Sequence, residues 1–157
     1  MMKNIFSIIL FILLISCGNK KHKENQELIL TANAIKTTNN SKELKIQIKL
    51  TNNSESVKSY SIMSCSYSDN FVLGNSALLI SPIECDKNFP ARLILNPNQS
   101  KTHNLTILKI RASKTEDFKI GFKIIKIQDN SNYFDEYEKQ IKDPNIKIVW
   151  SNPVKIQ

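Results

Sequence analysis

From residue 43 to 51 apolar and polar side chains alternate without a break: Leu44, Ile46, Ile48 and Leu50 on one side, Lys45, Gln47 and Lys49 on the other. A period of two is that of a β-strand with one buried face. Residues 118–124 repeat the pattern and then slip phase at Ile124-Ile125, so that Ile125 and Ile127 become the apolar set, which predicts a bulge or a corner. Further strands are predicted over 28–35, 57–65, 77–81, 91–95, 104–110, and 146–150 running on towards Ile156. Asparagine-rich turns separate them: Asn39-Asn40-Ser41, Asn52-Asn53-Ser54, Asn96-Pro97-Asn98 and Asp129-Asn130-Ser131-Asn132. About eight short strands and no long helical period predict an antiparallel sandwich. Only Phe134, Tyr137 and Ile141 recur at helical spacing, predicting a short helix across one end of it.

Two of the turns carry a resemblance. The strand ending Lys49-Leu50-Thr51-Asn52-Asn53-Ser54, followed later by Leu95-Asn96-Pro97-Asn98-Gln99-Ser100, resembles the paired T-N-x-S and L-x-P-G-x-S turns of many bacterial immunoglobulin-like domains. The resemblance implies an all-β, antiparallel immunoglobulin-like β-sandwich of about seven to nine strands. Asn98 stands where glycine is usual, and asparagine is the side chain that best tolerates the left-handed conformation.

The front of the chain reads differently. Lys3 precedes an apolar run from Ile5 to Ile15, and Leu14-Ile15-Ser16-Cys17 ends it with a small residue and a cysteine. This layout resembles the signal peptides of bacterial lipoproteins, and the resemblance implies cleavage before Cys17 and diacylglycerol on its thiol. Eleven residues of helix span about 16 Å, half of what a bilayer core requires, which argues against a membrane-spanning anchor. The expected division is a signal peptide over 1–16, a lipidated Cys17 and flexible tether over 17–26, and one sandwich domain over 27–157. The tether, with Lys20, Lys21, His22 and Lys23 and no apolar residue, either leans on anionic lipid or is simply solvated. The expected partners are the membrane, through Cys17, and a protein of the cell envelope. Gly18 after the anchor favours the outer membrane over the inner under the sorting rule for some Gram-negative lipoproteins.

Charge and composition narrow the function classes. Loss of residues 1–16 removes only Lys3, so the formal charge of +8 falls to +7, enough to ask about nucleic acid. Arg92 and Arg111 are the only arginines and the lysines are dispersed, which argues against it. Three glycines leave no phosphate-cradling loop. His103 is the only histidine of the expected domain, has no nucleophile motif to serve, and is expected to face solvent at a strand start. Asp117 and Glu136 are no better placed as a carboxylate pair than any other two acids. The acids Asp135, Glu136 and Glu138 lack the alternating loop of a calcium site. No enzyme, cofactor or metal is therefore expected.

Cys65 and Cys85 remain as an even pair. In an oxidising compartment they are expected to form a disulfide, the alternatives being two free thiols or metal ligands. The stapled loop, with Phe71, offers one candidate binding surface; Tyr133, Phe134 and Tyr137 in the 128–145 connection offer another, against the simpler reading that they are core. The expected function is that of a membrane-anchored binding or accessory module. The alternative is an inhibitor of a secreted protease or lysozyme, presenting the Cys65 to Cys85 loop.

Overall fold

A computed structural model describes residues 26–35, 42–110, 117–128 and 132–155. The signal peptide, Cys17, His22, all of the tether but Gln26, the Asn39-Asn40-Ser41 turn, Arg111 and residues 129–131 lie outside the described residues. Among the described residues there are nine strands, one α-helix and a single 3₁₀ turn at Tyr67–Asn70: β1 (Leu28–Ile35), β2 (Glu43–Asn52), β3 (Lys58–Met63), β4 (Phe71–Leu73), β5 (Leu78–Ile80), β6 (Pro90–Leu95), β7 (Ser100–Lys109), β8 (Ile120–Lys123), α1 (Tyr133–Ile141) and β9 (Ile148–Trp150). One layer has the order β1-β2-β7-β5, and the other is built from β3-β6 and β4-β8-β9; every pairing is antiparallel.

The phase slip after β8 joins the two halves of the second layer. The strand ends at Lys123, Ile124 N–H still donates to the Lys147 carbonyl, and the Ile125 carbonyl accepts from Ser61 N–H of β3. The chain thus turns a corner, leaving one sheet and docking on the next, with Ile125 fully buried. With β4 and β6 set aside, β1, β2, β7 and β5 occupy the places A-B-E-D, and β3, β8 and β9 the places C-F-G, of an immunoglobulin-type sandwich.

The core is what the alternation predicts. Ile46, Ile48 and Leu50 of β2 meet Leu28, Leu30, Leu105 and Ile107 from their own layer, and Tyr60, Leu93, Leu95, Ile120 and Phe122 from the opposite one. Burial of each large side chain contributes about 1.5–3 kcal/mol. The two turn motifs form one constellation, because the Asn52 and Gln99 backbones hydrogen-bond, Asn98 N–H donates to the Asn52 carbonyl, and the Thr51 and Ser100 hydroxyls lie 2.9 Å apart. Asn98 adopts φ 60°, the left-handed conformation that its position in the motif requires.

Two expectations are corrected here. β7 begins at Ser100, four residues ahead of the predicted start, because Ser100, Lys101, Thr102 and His103 pair with β2 although they carry no apolar alternation. β4 was not anticipated at all: three residues are too few to show a period, and pairing with β8 alone makes them a strand.

Candidate functional site

The aromatic residues of the 133–141 segment form the predicted helix, but most of that cluster faces inwards. Tyr137 is 1% exposed, and its hydroxyl donates to Asn70 Oδ1 at 2.7 Å. Burial against apolar neighbours, together with the charges of Asp69 and Glu138, raises its pKa far above the ordinary phenol value. The Tyr133 and Ser61 hydroxyls lie 2.7 Å apart, and the Gln140 amide brackets both backbone groups of Lys126. Phe71, only 7% exposed, packs against Phe122 with the rings tilted and their centroids 5.3 Å apart. Tyr137 and Phe71 are thus corrected from candidate contact residues to core, since a side chain sealed inside cannot touch a partner. Phe134, 49% exposed, is the only one of the four that opens broadly to solvent.

Cys65 and Cys85 form the expected disulfide. The loop they close is stitched into both layers, contributing β4 to one and β5 to the other. Its entrance is held by the Asn88 side chain, whose Oδ1 accepts from Cys65 and Ser66 N–H and whose amide donates to Ser66 Oγ. His103 is corrected from a solvent-facing strand start to a half-buried mid-strand residue, its ring 4.4 Å from that of Tyr67. Desolvation, then repulsion from Lys101, lowers its pKa. No acid or nucleophile is bonded to it among the described residues, and no cluster of metal ligands is found among them either.

A second place was not marked by the sequence reading. An open cleft of about 560 Å³ lies where the start of β1 faces β9, lined by Glu27, Leu28, Tyr60, Ile148 and Trp150 with Lys119, Lys126 and Lys147. Its centrepiece is Trp150, 42% exposed and the only tryptophan of the chain. The outer face of this sheet is cut away beneath the indole: Trp150 stands opposite Gly121, where a Cβ would come within 3.0 Å of the ring, 2.5 Å of Ile148 and 2.9 Å of Val72. A glycine inside a strand marks such a close approach, and that was the one signal by which the sequence could have pointed here. The cleft is electropositive. Its one acid, Glu27, is paired to Lys58 at 2.9 Å, and its pKa is lowered chiefly by that hydrogen bond and charge. None of the three lining lysines is ion-paired among the described residues. Lys126 lies 6.0 Å above the Tyr60 ring, a cation–π contact that leaves its charge available.

No family model matches the sequence, and no curated protein matches it. Among solved structures, 83% of the chain is similar to 19% of the crystal structure of a GH20 exo β-N-acetylglucosaminidase from Vibrio harveyi in complex with N-acetylglucosamine, at 9% identity and a TM-score of 0.37. The chain spans about a fifth of that protein, and a likeness so slight carries no functional argument. No helix among the described residues is long and apolar enough to cross a membrane.

Proposed function

We propose that the protein is a lipid-tethered binding module of the bacterial cell envelope whose binding surface is the cleft between β1 and β9. The observation that carries the reading is the combination of an exposed indole, seated on a glycine-hollowed sheet face, with three lysines, none of them within ion-pair distance of a carboxylate among the described residues, Lys126 and Lys147 feeling Glu27 only at longer range. Rigid aromatics and cations in a concave site serve recognition. An anionic partner is the one such a surface selects.

The tether part of the reading rests on the Leu14-Ile15-Ser16-Cys17 motif. Mass spectrometry of protein taken from its native membrane is expected to find Cys17 as the first residue with a diacylglycerol thioether; an intact residue 1 and an unmodified thiol would overturn it. The cleft is tested through Trp150 emission, which reports from inside it. Titration with polyglutamate is expected to change that emission saturably, and more weakly after Lys126→Glu and Lys147→Glu. Phe134→Ala is expected to leave the titration unchanged. A flat response in the unaltered protein would dismiss the cleft as the site.

A further inference from the structure

The occupant can be named more closely from the backbone that borders the cleft. Asn152 presents its side-chain amide to the outer edge of β1: Oδ1 accepts from Ala32 N–H and Nδ2 donates to the Ala32 carbonyl, both at 2.9 Å. Those are the two bonds that a neighbouring strand would make. They also show which backbone groups point away from β2. Because the ladder alternates, Leu28 and Leu30 direct their N–H and C=O groups to the same outer edge as Ala32, whereas the Glu27 carbonyl points the other way and accepts from Asn53 N–H. No hydrogen bond to the outer edge at Leu28 or Leu30 is found among the described residues. The edge is closed by a side-chain mimic at one end and open at the other, where Leu28 enters the cleft wall.

We propose that this edge is a docking rail for an extended acidic peptide segment of a partner protein, which adds to β1 as an extra strand and lays its carboxylates against Lys119, Lys126 and Lys147. The inference rests on the reading of the cleft as the binding surface and specifies what fills it. Two features select a peptide. Unpaired edge groups recur every second residue, about 6.8 Å apart, a spacing that a polypeptide backbone reproduces. The cleft also gathers three lysines around one already paired glutamate, so an acidic chain is drawn in and a basic one repelled. The chain's own preceding stretch, with Lys20, Lys21 and Lys23, has the wrong sign to fill it. Asn152 ends the rail at Ala32 and thereby sets how far the added strand can run.

The test uses the full chain in detergent and a fluorescein-labelled eight-residue peptide alternating glutamate with valine, read by anisotropy and by Trp150 emission. Two isomers of the peptide carry N-methyl groups on alternate residues, one set along each edge. Strand addition expects one isomer to lose at least tenfold in affinity and the other to stay within threefold of the parent, since only one edge of the peptide meets β1. The Lys126→Glu and Lys147→Glu pair is expected to weaken the parent peptide by at least tenfold, and a lysine-valine peptide is expected not to bind. If both methylated isomers bind like the parent, strand addition is overturned while the cleft survives as a polyanion site. If dextran sulfate changes Trp150 emission and the peptide does not, the peptide assignment fails and an acidic glycan takes its place. If no anionic probe changes the emission, both this inference and the cleft reading fall.

Discussion

Asn52 is the residue whose loss should cost the domain most for its size. It is fully buried at the end of β2, and its side chain uses every hydrogen-bonding capacity it has. Nδ2 donates to the Ser56 carbonyl at 2.8 Å and the Leu95 carbonyl at 2.9 Å, while Oδ1 accepts from Ser54 N–H at 3.0 Å and Ser54 Oγ at 2.8 Å. Asn52→Ala removes the buried bond to the Leu95 carbonyl, which keeps only its place in the β3–β6 ladder opposite Lys58, at about 1.5 kcal/mol, and three bonds nearer the surface, at about 0.5 kcal/mol each where water can replace the partner. The expected loss is about 3 kcal/mol. An unfolding entropy of about 2.1 cal/mol/K per residue, over roughly 130 residues, converts this to a fall in Tm of about 10 °C. Asn52→Asp keeps the shape but turns a carboxylate towards two carbonyls, and is expected to be at least as damaging. Ser54→Ala should cost about 1 kcal/mol alone and clearly less once Asn52 is alanine, because the shorter of the Ser54 Oγ bonds ends on Asn52 while the longer one to the Ser56 carbonyl remains. The assay is thermal and urea unfolding followed by circular dichroism. A fall in Tm below about 3 °C for Asn52→Ala, or full additivity with Ser54→Ala, would refute the hub.

Three further outcomes are expected. His103 is held neutral by burial, so its folded pKa lies below the ordinary 6.5 and the unfolded chain takes up the proton first as pH falls; stability should be full above about pH 6.5 and decline on acidification through the lowered folded value, a slope that His103→Gln should flatten in melts run between pH 5 and 7.5. Reduction of the disulfide, whose cysteines are 20 residues apart, should cost about 3 kcal/mol in the chain-entropy model, checked by comparing urea midpoints with and without reductant; an unchanged midpoint would show that the strands of the loop hold it unaided. Tyr137→Phe removes the hydroxyl bonded to Asn70, and should lower stability by about 1–2 kcal/mol in urea unfolding, whereas Phe134→Ala, on the exposed side of the same helix, should stay within about 0.5 kcal/mol.

Local pattern was enough to determine the class of fold. The period of two at Leu44, Ile46, Ile48 and Leu50, the phase slip at Ile124-Ile125 and the asparagine turns each follow from steric and hydrophobic rules that act within a few residues, and they reappear as β2, the corner after β8 and the Asn98 turn. The cysteine pair and the helix of 133–141 were legible for the same reason. Which faces look outwards could be decided only by packing across the chain. Tyr137 and Phe71 are apolar enough for either a contact surface or a core, and tertiary packing buried both, Phe71 in the core between the layers and Tyr137 in a smaller cluster with Met63 and Ile125. The cleft was illegible because its parts lie far apart in sequence: Glu27 and Leu28 open the domain, Tyr60 sits in β3, Lys119 and Lys126 flank β8, and Lys147 and Trp150 come near the end. No local rule joins them, since their proximity arises from two strand edges, β1 and β9, that the sandwich brings face to face without pairing them.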